Sequence, residues 1–305
     1  MQEGRPTDQA RRDRQVAALS LDFVLDMAAH GLAGLKPLEA LIVMAINQAN
    51  IAPLTRDPAA RKRYGAIDAP APDHERRPVS VRAVAASMRL PYETARRNIR
   101  GLEARGICVS SDEGVVVPAT FMQTPRYVEA AHIGHARLRE LYVVLAANGL
   151  LEPLPAANYE ETEPPVRGAV RLMSDYLLRT AEALVARIGD LTAGVVMLPL
   201  LAAGASAEAA APVALPVSRL ARRTRLPAET VRRKAAALVE SGLCVNGSGG
   251  VCLHEAVLAS PAWSGLLREN AIAVQRMYAG LAERGVIAAW EQGAAPITPA
   301  AAGGG

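Results

Sequence analysis

The sequence predicts a mainly α-helical protein with two small β-hairpins, assembled from two copies of one unit. Three observations predict it. Val81 to Val109 aligns without gaps to Val217 to Val245, with 13 identities in 29 columns at an offset of 136 residues. Apolar residues recur at helical spacing through several segments of each copy. Each copy then carries two short β-branched segments around a turn rich in glycine or acid.

The first helix of each copy is expected at about Gln15 to His30 and Arg167 to Ile188, with Val16, Leu19, Phe23 and Met27 on one face of the former. Here the register of the repeat is 153, which pairs Asp22-Phe23 with Asp175-Tyr176 and Val43-Met44 with Val196-Met197. A second helix opens at Pro37, a residue suited to a first helical turn. Its counterpart opens near Asp190, with Pro199 expected to end or kink it. The third helices are read at Val81 to Ser87 and Ser218 to Arg223. Each leads through Arg-Leu-Pro into a fourth, Tyr92 to Arg105 and Ala228 to Ser241, stopped by Gly106 and Gly242.

Hairpins follow. Ile107 to Val109 and Val115 to Val117 flank Asp112-Glu113-Gly114, and Leu243 to Val245 and Val251 to Leu253 flank Asn246 to Gly250. A long helix closes each copy after Thr124-Pro125 and Ser260-Pro261. Pro53 to Arg77 reads as a proline-rich loop. The expected organisation is a flexible basic arm over 1–14, a first repeat over 15–150, an acidic proline-rich linker over 151–166, a second repeat over 167–290 and a disordered tail over 291–305.

Composition narrows the function. Half of the 305 residues are hydrophobic and 21% are charged, so a wholly disordered chain is excluded. Three cysteines exclude a disulfide scaffold. Aromatic residues are only 4%, too few to stack a run of unpaired bases. The polar N-terminus carries no secretory pattern, and Leu191 to Ala207 is short for a membrane span and interrupted by Pro199. A cytoplasmic protein without a membrane partner is expected.

The fourth helices hold the strongest functional signal. Ala95, Ile99 and Leu102, like Val231, Ala235 and Leu238, share one face. The opposite face carries Tyr92, Glu93, Thr94, Arg96, Arg97 and Arg100 in the first copy, with Glu229, Thr230, Arg232, Arg233 and Lys234 in the second. The net charge is only +4, yet residues 78–106 hold six arginines against two glutamates, and residues 216–242 seven basic residues against two acidic. Basic charge is therefore concentrated around these two helices.

"VRAVAASMRLPYETARRNIRGLEARGICV" resembles the DNA-reading core of bacterial winged-helix regulators of the MarR and IclR kind, and "VSRLARRTRLPAETVRRKAAALVESGLCV" resembles it again. The resemblance covers about 40 residues per copy. It implies two winged-helix repeats joined through a helical bundle, one chain imitating a homodimer or pairing with a second copy. It implies double-stranded DNA as partner, with Arg96 and Arg232 at base edges and Arg97 and Arg233 at bases or phosphates. Arg100 and Lys234 would meet phosphates, and Thr94 and Thr230 would lie in the first turn beside them. A small-molecule effector between bundle and winged helices is compatible with it. Hairpin tips in such regulators usually carry arginine, whereas these are Asp112-Glu113 and an uncharged Gly/Ser/Asn turn.

Other readings stay open. An arginine-rich face can be a solvated face, paired winged helices also serve plasmid-type replication initiators, and winged helices can be protein-docking adaptors. No catalytic constellation, cofactor motif or metal set is expected. His132 and His135 lack a third ligand, Cys108 and Cys244 read as small core residues, and Gly247 to Gly250 lacks the lysine of a phosphate-binding loop.

Overall fold

A computed structural model describes residues 8–30, 32–158, 165–206 and 213–293. It is mainly helical with two small antiparallel hairpins. The first half runs α1 (Asp8–His30), α2 (Pro37–Arg56), α3 (Pro58–Arg63), a 3-10 turn (Asp73–Glu75), α4 (Val81–Ser87), α5 (Tyr92–Glu103), β1 (Val109–Ser111), β2 (Gly114–Val116), α6 (Ala119–Met122) and α7 (Pro125–Ala147). The second runs α8 (Val166–Ile188), α9 (Leu191–Ser206), α10 (Val217–Thr224), α11 (Ala228–Glu240), β3 (Cys244–Gly247), β4 (Gly250–Leu253), α12 (Glu255–Ala259), α13 (Pro261–Glu283) and α14 (Val286–Gln292).

Several expectations are corrected. Helix α1 starts at Asp8, so residues 8–14 are helical where a loose arm was expected; Asp13 is buried, takes a 2.8 Å bond from Gln9 and pairs with Arg268 at 3.5 Å. Residues 1–7 and 294–305 lie outside the described residues. Pro53 does not end α2, whose last turn is closed by Thr55 Oγ1 donating to the Ala52 carbonyl at 2.9 Å. The expected loop beyond it folds into α3, capped by Asp57, and the 3-10 turn. Ala60, Tyr64 and Ala71 form a small apolar cluster there, with Leu54 against it. Pro199 does not stop α9 either, because that segment is buried and its neighbours hold it helical. The hairpin strands reach further into the turns than expected, leaving only Asp112-Glu113 and Ser248-Gly249 between them. Helices α6, α12 and α14 had no counterpart in the sequence reading.

Both hairpins gain a third strand from a single bridge, Val79 with Val115 and Leu215 with Val251. The closeness of that strand explains two glycines. Gly114 and Gly250 have φ of +135° and +134°, and a Cβ at Gly250 would lie 2.3 Å from the Leu215 carbonyl oxygen. No other residue fits there. Arg89 and Arg225, in the turns before α5 and α11, adopt positive φ of 51° and 52°.

The bundle interlocks the halves. Helix α1 packs chiefly on α9 and α13, and α8 packs on α2, α7 and α13. Buried polar bonds pin the centre: Tyr176 Oη donates to Asn270 Oδ1 at 2.9 Å, and Asn270 Nδ2 donates to Ser20 Oγ at 2.8 Å. Among the described residues α2 is the one helix long and apolar enough to cross a membrane. Its Ile42, Val43, Ile46 and Asn50 are buried within the fold.

Gly250→Ala should lower the unfolding free energy by about 1–3 kcal/mol through forced backbone strain, on top of the clash. Chemical denaturation checks it. Gly265→Ala, where the added methyl meets nothing within 4 Å, should not lower stability.

Candidate nucleic-acid interface

Proline starts each fourth helix. Pro91 and Pro227 hold extended backbone just before α5 and α11, and neither helix has a side-chain cap. The first-turn amides therefore point outward with no side chain spent on them. Ala95, Ile99 and Leu102, and Val231, Ala235 and Leu238, are all buried, as the stripe requires. That anchoring turns the other face to solvent.

On α5, Glu93, Thr94, Arg96, Arg97 and Arg100 border one shallow recess. Tyr92, the first residue of α5, is 47% exposed. Arg97 and Arg100 are exposed, while Arg96 is half-buried and Nη1 bonds Glu93 Oε1 at 3.3 Å. On α11, Glu229, Arg232 and Arg233 are exposed and Thr230 half-buried. Arg232 Nη1 donates to Glu229, the same pairing one turn into each helix. These are solvent-exposed i,i+3 pairs, weak enough that an incoming polyanion can take the arginine.

Lys234 is placed differently from the expected phosphate contact. Its ammonium donates to Asp190 Oδ2 at 2.9 Å, tying α11 to the start of α9. Lys234 is three residues from Val231 and four from Leu238, which sets it at the edge of the buried stripe. Asn98, its counterpart on α5, turns inward too, donating to the Thr94 carbonyl at 2.8 Å. Burial alone would raise the Asp190 carboxyl, but the Ala193 amide and Lys234 outweigh it and hold its pKa below the usual value. Sequence spacing missed Asp190 because its partner lies 44 residues away. Glu39, bonded to Arg105 at 3.0 Å beyond the end of α5, was missed for the same reason.

The cysteines of the fourth-helix repeats are buried and His135 is occupied, while His132 is exposed. Burial pushes the Cys108 and Cys244 thiols up to about 12, so neither is a thiolate near neutrality. His135 Nε2 bonds Trp290 Nε1 at 3.2 Å, inside the packing of α7 on α14. Among the described residues no three His, Cys, Asp or Glu side chains gather where a metal could sit. The hairpin tips are acidic in one half and uncharged in the other, so any groove contact falls to the helices.

Comparison with known proteins finds no matching family model, no similar curated protein and no similar solved structure.

Lys234→Met should reduce stability near neutral pH by roughly 0.2–1 kcal/mol, the range of a partly exposed ion pair. Asp190 has a depressed pKa, so this contribution is present above its unfolded value. It fades as pH falls through the folded value. Urea unfolding of both proteins from pH 7 down to pH 3 should show the two curves converging on acidification.

Proposed function

We propose that this chain is a sequence-specific, double-stranded-DNA-binding transcription regulator, formed by duplication of a winged-helix unit. Helices α5 and α11 read successive major grooves, and one chain covers both half-sites. The observation that carries this reading is the recurrence of one surface: an uncapped helix start, an arginine face turned to solvent and a hairpin beside it, twice in one chain. Backbone detail supports duplication. The bridges, the positive-φ arginines and the hairpin glycines all lie 136 residues apart.

A helix fits the major groove, and arginine can make paired bonds to a guanine edge. Arg96 and Arg232 take that role, exchanging Glu93 and Glu229 for the base. Arg97 and Arg233 meet bases or phosphates, and Arg100 a phosphate. Thr94 and Thr230 support the phosphate beside the helix start. The half-sites are separated by about one turn, roughly 34 Å. Because Tyr92 faces Ala228 in the alignment, and Arg100 faces Ala236, the operator is an imperfect inverted repeat. The protein works in the cytoplasm, without catalysis, cofactor or membrane contact.

Arg96→Ala should weaken binding to the selected operator by about 1–3 kcal/mol and relax preference in one half-site only, whereas Arg100→Ala should weaken all sequences and reduce the salt slope by about 1. Gel-shift titrations on operator and random duplexes, after genome-wide selection of fragments, check both. Equal losses on operator and random DNA for Arg96→Ala would remove it from base reading. Failure to retain any duplex would favour a protein-docking role.

A further inference from the structure

The two arginine-bearing helices differ at their edges and agree at their centre. Aligned, α5 begins Tyr-Glu-Thr-Ala-Arg-Arg and α11 begins Ala-Glu-Thr-Val-Arg-Arg. The shared outward residues are Glu93, Thr94, Arg96 and Arg97, matched by Glu229, Thr230, Arg232 and Arg233. Threonine and the two arginines suit a polyanion. The glutamate does not: a carboxylate on such a surface is repelled by every phosphate it approaches. Its presence at one position in both copies calls for a partner.

Both glutamates can reach one. Their side chains are 74% and 80% exposed. Neither helix has a side-chain cap, so neither carboxylate is spent on the first-turn amides. Each turns along the helix instead. Arg96 Nη1 lies 3.3 and 3.4 Å from the two Glu93 oxygens, and Arg232 Nη1 donates to Glu229. When those arginines take a guanine edge, the carboxylates lose their cations. Arg97 and Arg233, four residues on, are then engaged by bases or phosphates.

Major-groove chemistry leaves one good replacement. Guanine and thymine present acceptors, which repel a carboxylate. Adenine presents an amine with an acceptor nitrogen beside it. Cytosine presents the amine alone, and glutamate accepts from it. Three residues advance a helix by about 4.5 Å, and base pairs stack about 3.4 Å apart. The glutamate and arginine of one helix therefore fall on the same base pair or on neighbouring ones.

We propose, building on the DNA-binding reading above, that Glu93 and Glu229 are specificity residues. Each selects a cytosine beside the guanine taken by Arg96 or Arg232. The two half-sites thus share one core, a cytosine and a guanine within two base pairs. They diverge around it, where Tyr92 and Arg100 are replaced by Ala228 and Ala236. Because three bases are refused as well as one accepted, the glutamate sharpens discrimination more than it adds affinity.

Selection of duplexes from a random pool by the full chain, followed by titration of single-base variants, tests this. Both half-sites should carry the same cytosine and guanine. Glu93→Gln should cut the preference for cytosine about fivefold or more in one half-site, with adenine gaining, because glutamine matches the adenine edge. Glu229→Gln should do the same in the other half-site. Placing N4-methylcytosine in the first core blocks the outward amine hydrogen. It should weaken the wild-type chain about fivefold or more and leave Glu93→Ala unaffected. Circular dichroism checks that the variants fold; if one does not, the modified base on the wild-type chain decides. Half-sites without a common core, cytosine preference unchanged in both glutamine variants, or wild-type binding indifferent to the modified base overturns the proposal and leaves the regulator reading in place. So does a uniform gain on all duplexes with unaltered base preference, since the carboxylate is then only a repelling charge. Retention of no duplex at all overturns both.

Discussion

The packing of α1 against α9 is the contact on which the rest of the molecule depends. From Leu191 to Ser206, α9 has no charged residue, and Val196, Met197, Leu200 and Leu201 are almost wholly removed from solvent. Burying each such side chain stabilises the fold by about 1.5–3 kcal/mol. A helix apolar on every side needs cover on every side. Helices α8, α10 and α11 supply part of it, and α1 from the other half supplies the largest share. The same exchange runs the other way where α8 lies on α2. Each half therefore leaves apolar surface bare without its counterpart, and the two arginine-bearing helices are carried on one shared core.

Local structure was legible where one physical rule acted alone. The stripes of α5 and α11 follow from spacing, and their buried faces are those that periodicity assigns. Gly106 and Gly242 end the fourth helices with positive φ, as a C-terminal glycine does. Illegible were the places where tertiary packing overrode a local signal. Pro53 and Pro199 read as breaks, yet each lies within a helix that buried contacts keep intact. Residues 58–75 read as loop because their apolar content is only Ala60, Tyr64, Ala71 and a few neighbours. Two short helical segments suffice to enclose that much.

The candidate interface divides in the same way. Which residues face outward could be read from the wheel, since exposure of Arg97, Arg100, Arg232 and Arg233 needs no partner. What each charged group binds could not. Glu93 and Glu229 sit three residues before their arginines, and such local pairs are visible in the sequence. Asp190 with Lys234 and Glu39 with Arg105 join segments far apart in the chain. Arg76 and Arg167 are buried and donate to the Ala71 and Ala66 carbonyls, yet they stand in stretches read as loop and helix start, so their burial has no sequence signature.

The two halves hold their hairpins by different chemistry, and this bears on how motion could pass through them. In the first, buried Asn50 on α2 donates to the Arg77 and Val115 carbonyls at 2.8 and 3.1 Å and accepts from the Val117 amide at 3.0 Å. Those three bonds make α2 and the hairpin one body. In the repeat register Asn50 corresponds to Ala203, and next to it Gly204 leaves space into which Leu253 packs, where a Cβ would lie 2.7 Å from Leu253 Cδ1. Directional bonds resist rotation and break at a definite geometry, whereas apolar contacts tolerate sliding. A displacement of α2 is thus transmitted whole to the first hairpin. A displacement of α9 is partly absorbed before it reaches the second. Since α2 also packs on α4, α5 and β2, the first half is the one whose hairpin and arginine-bearing helix move together with it.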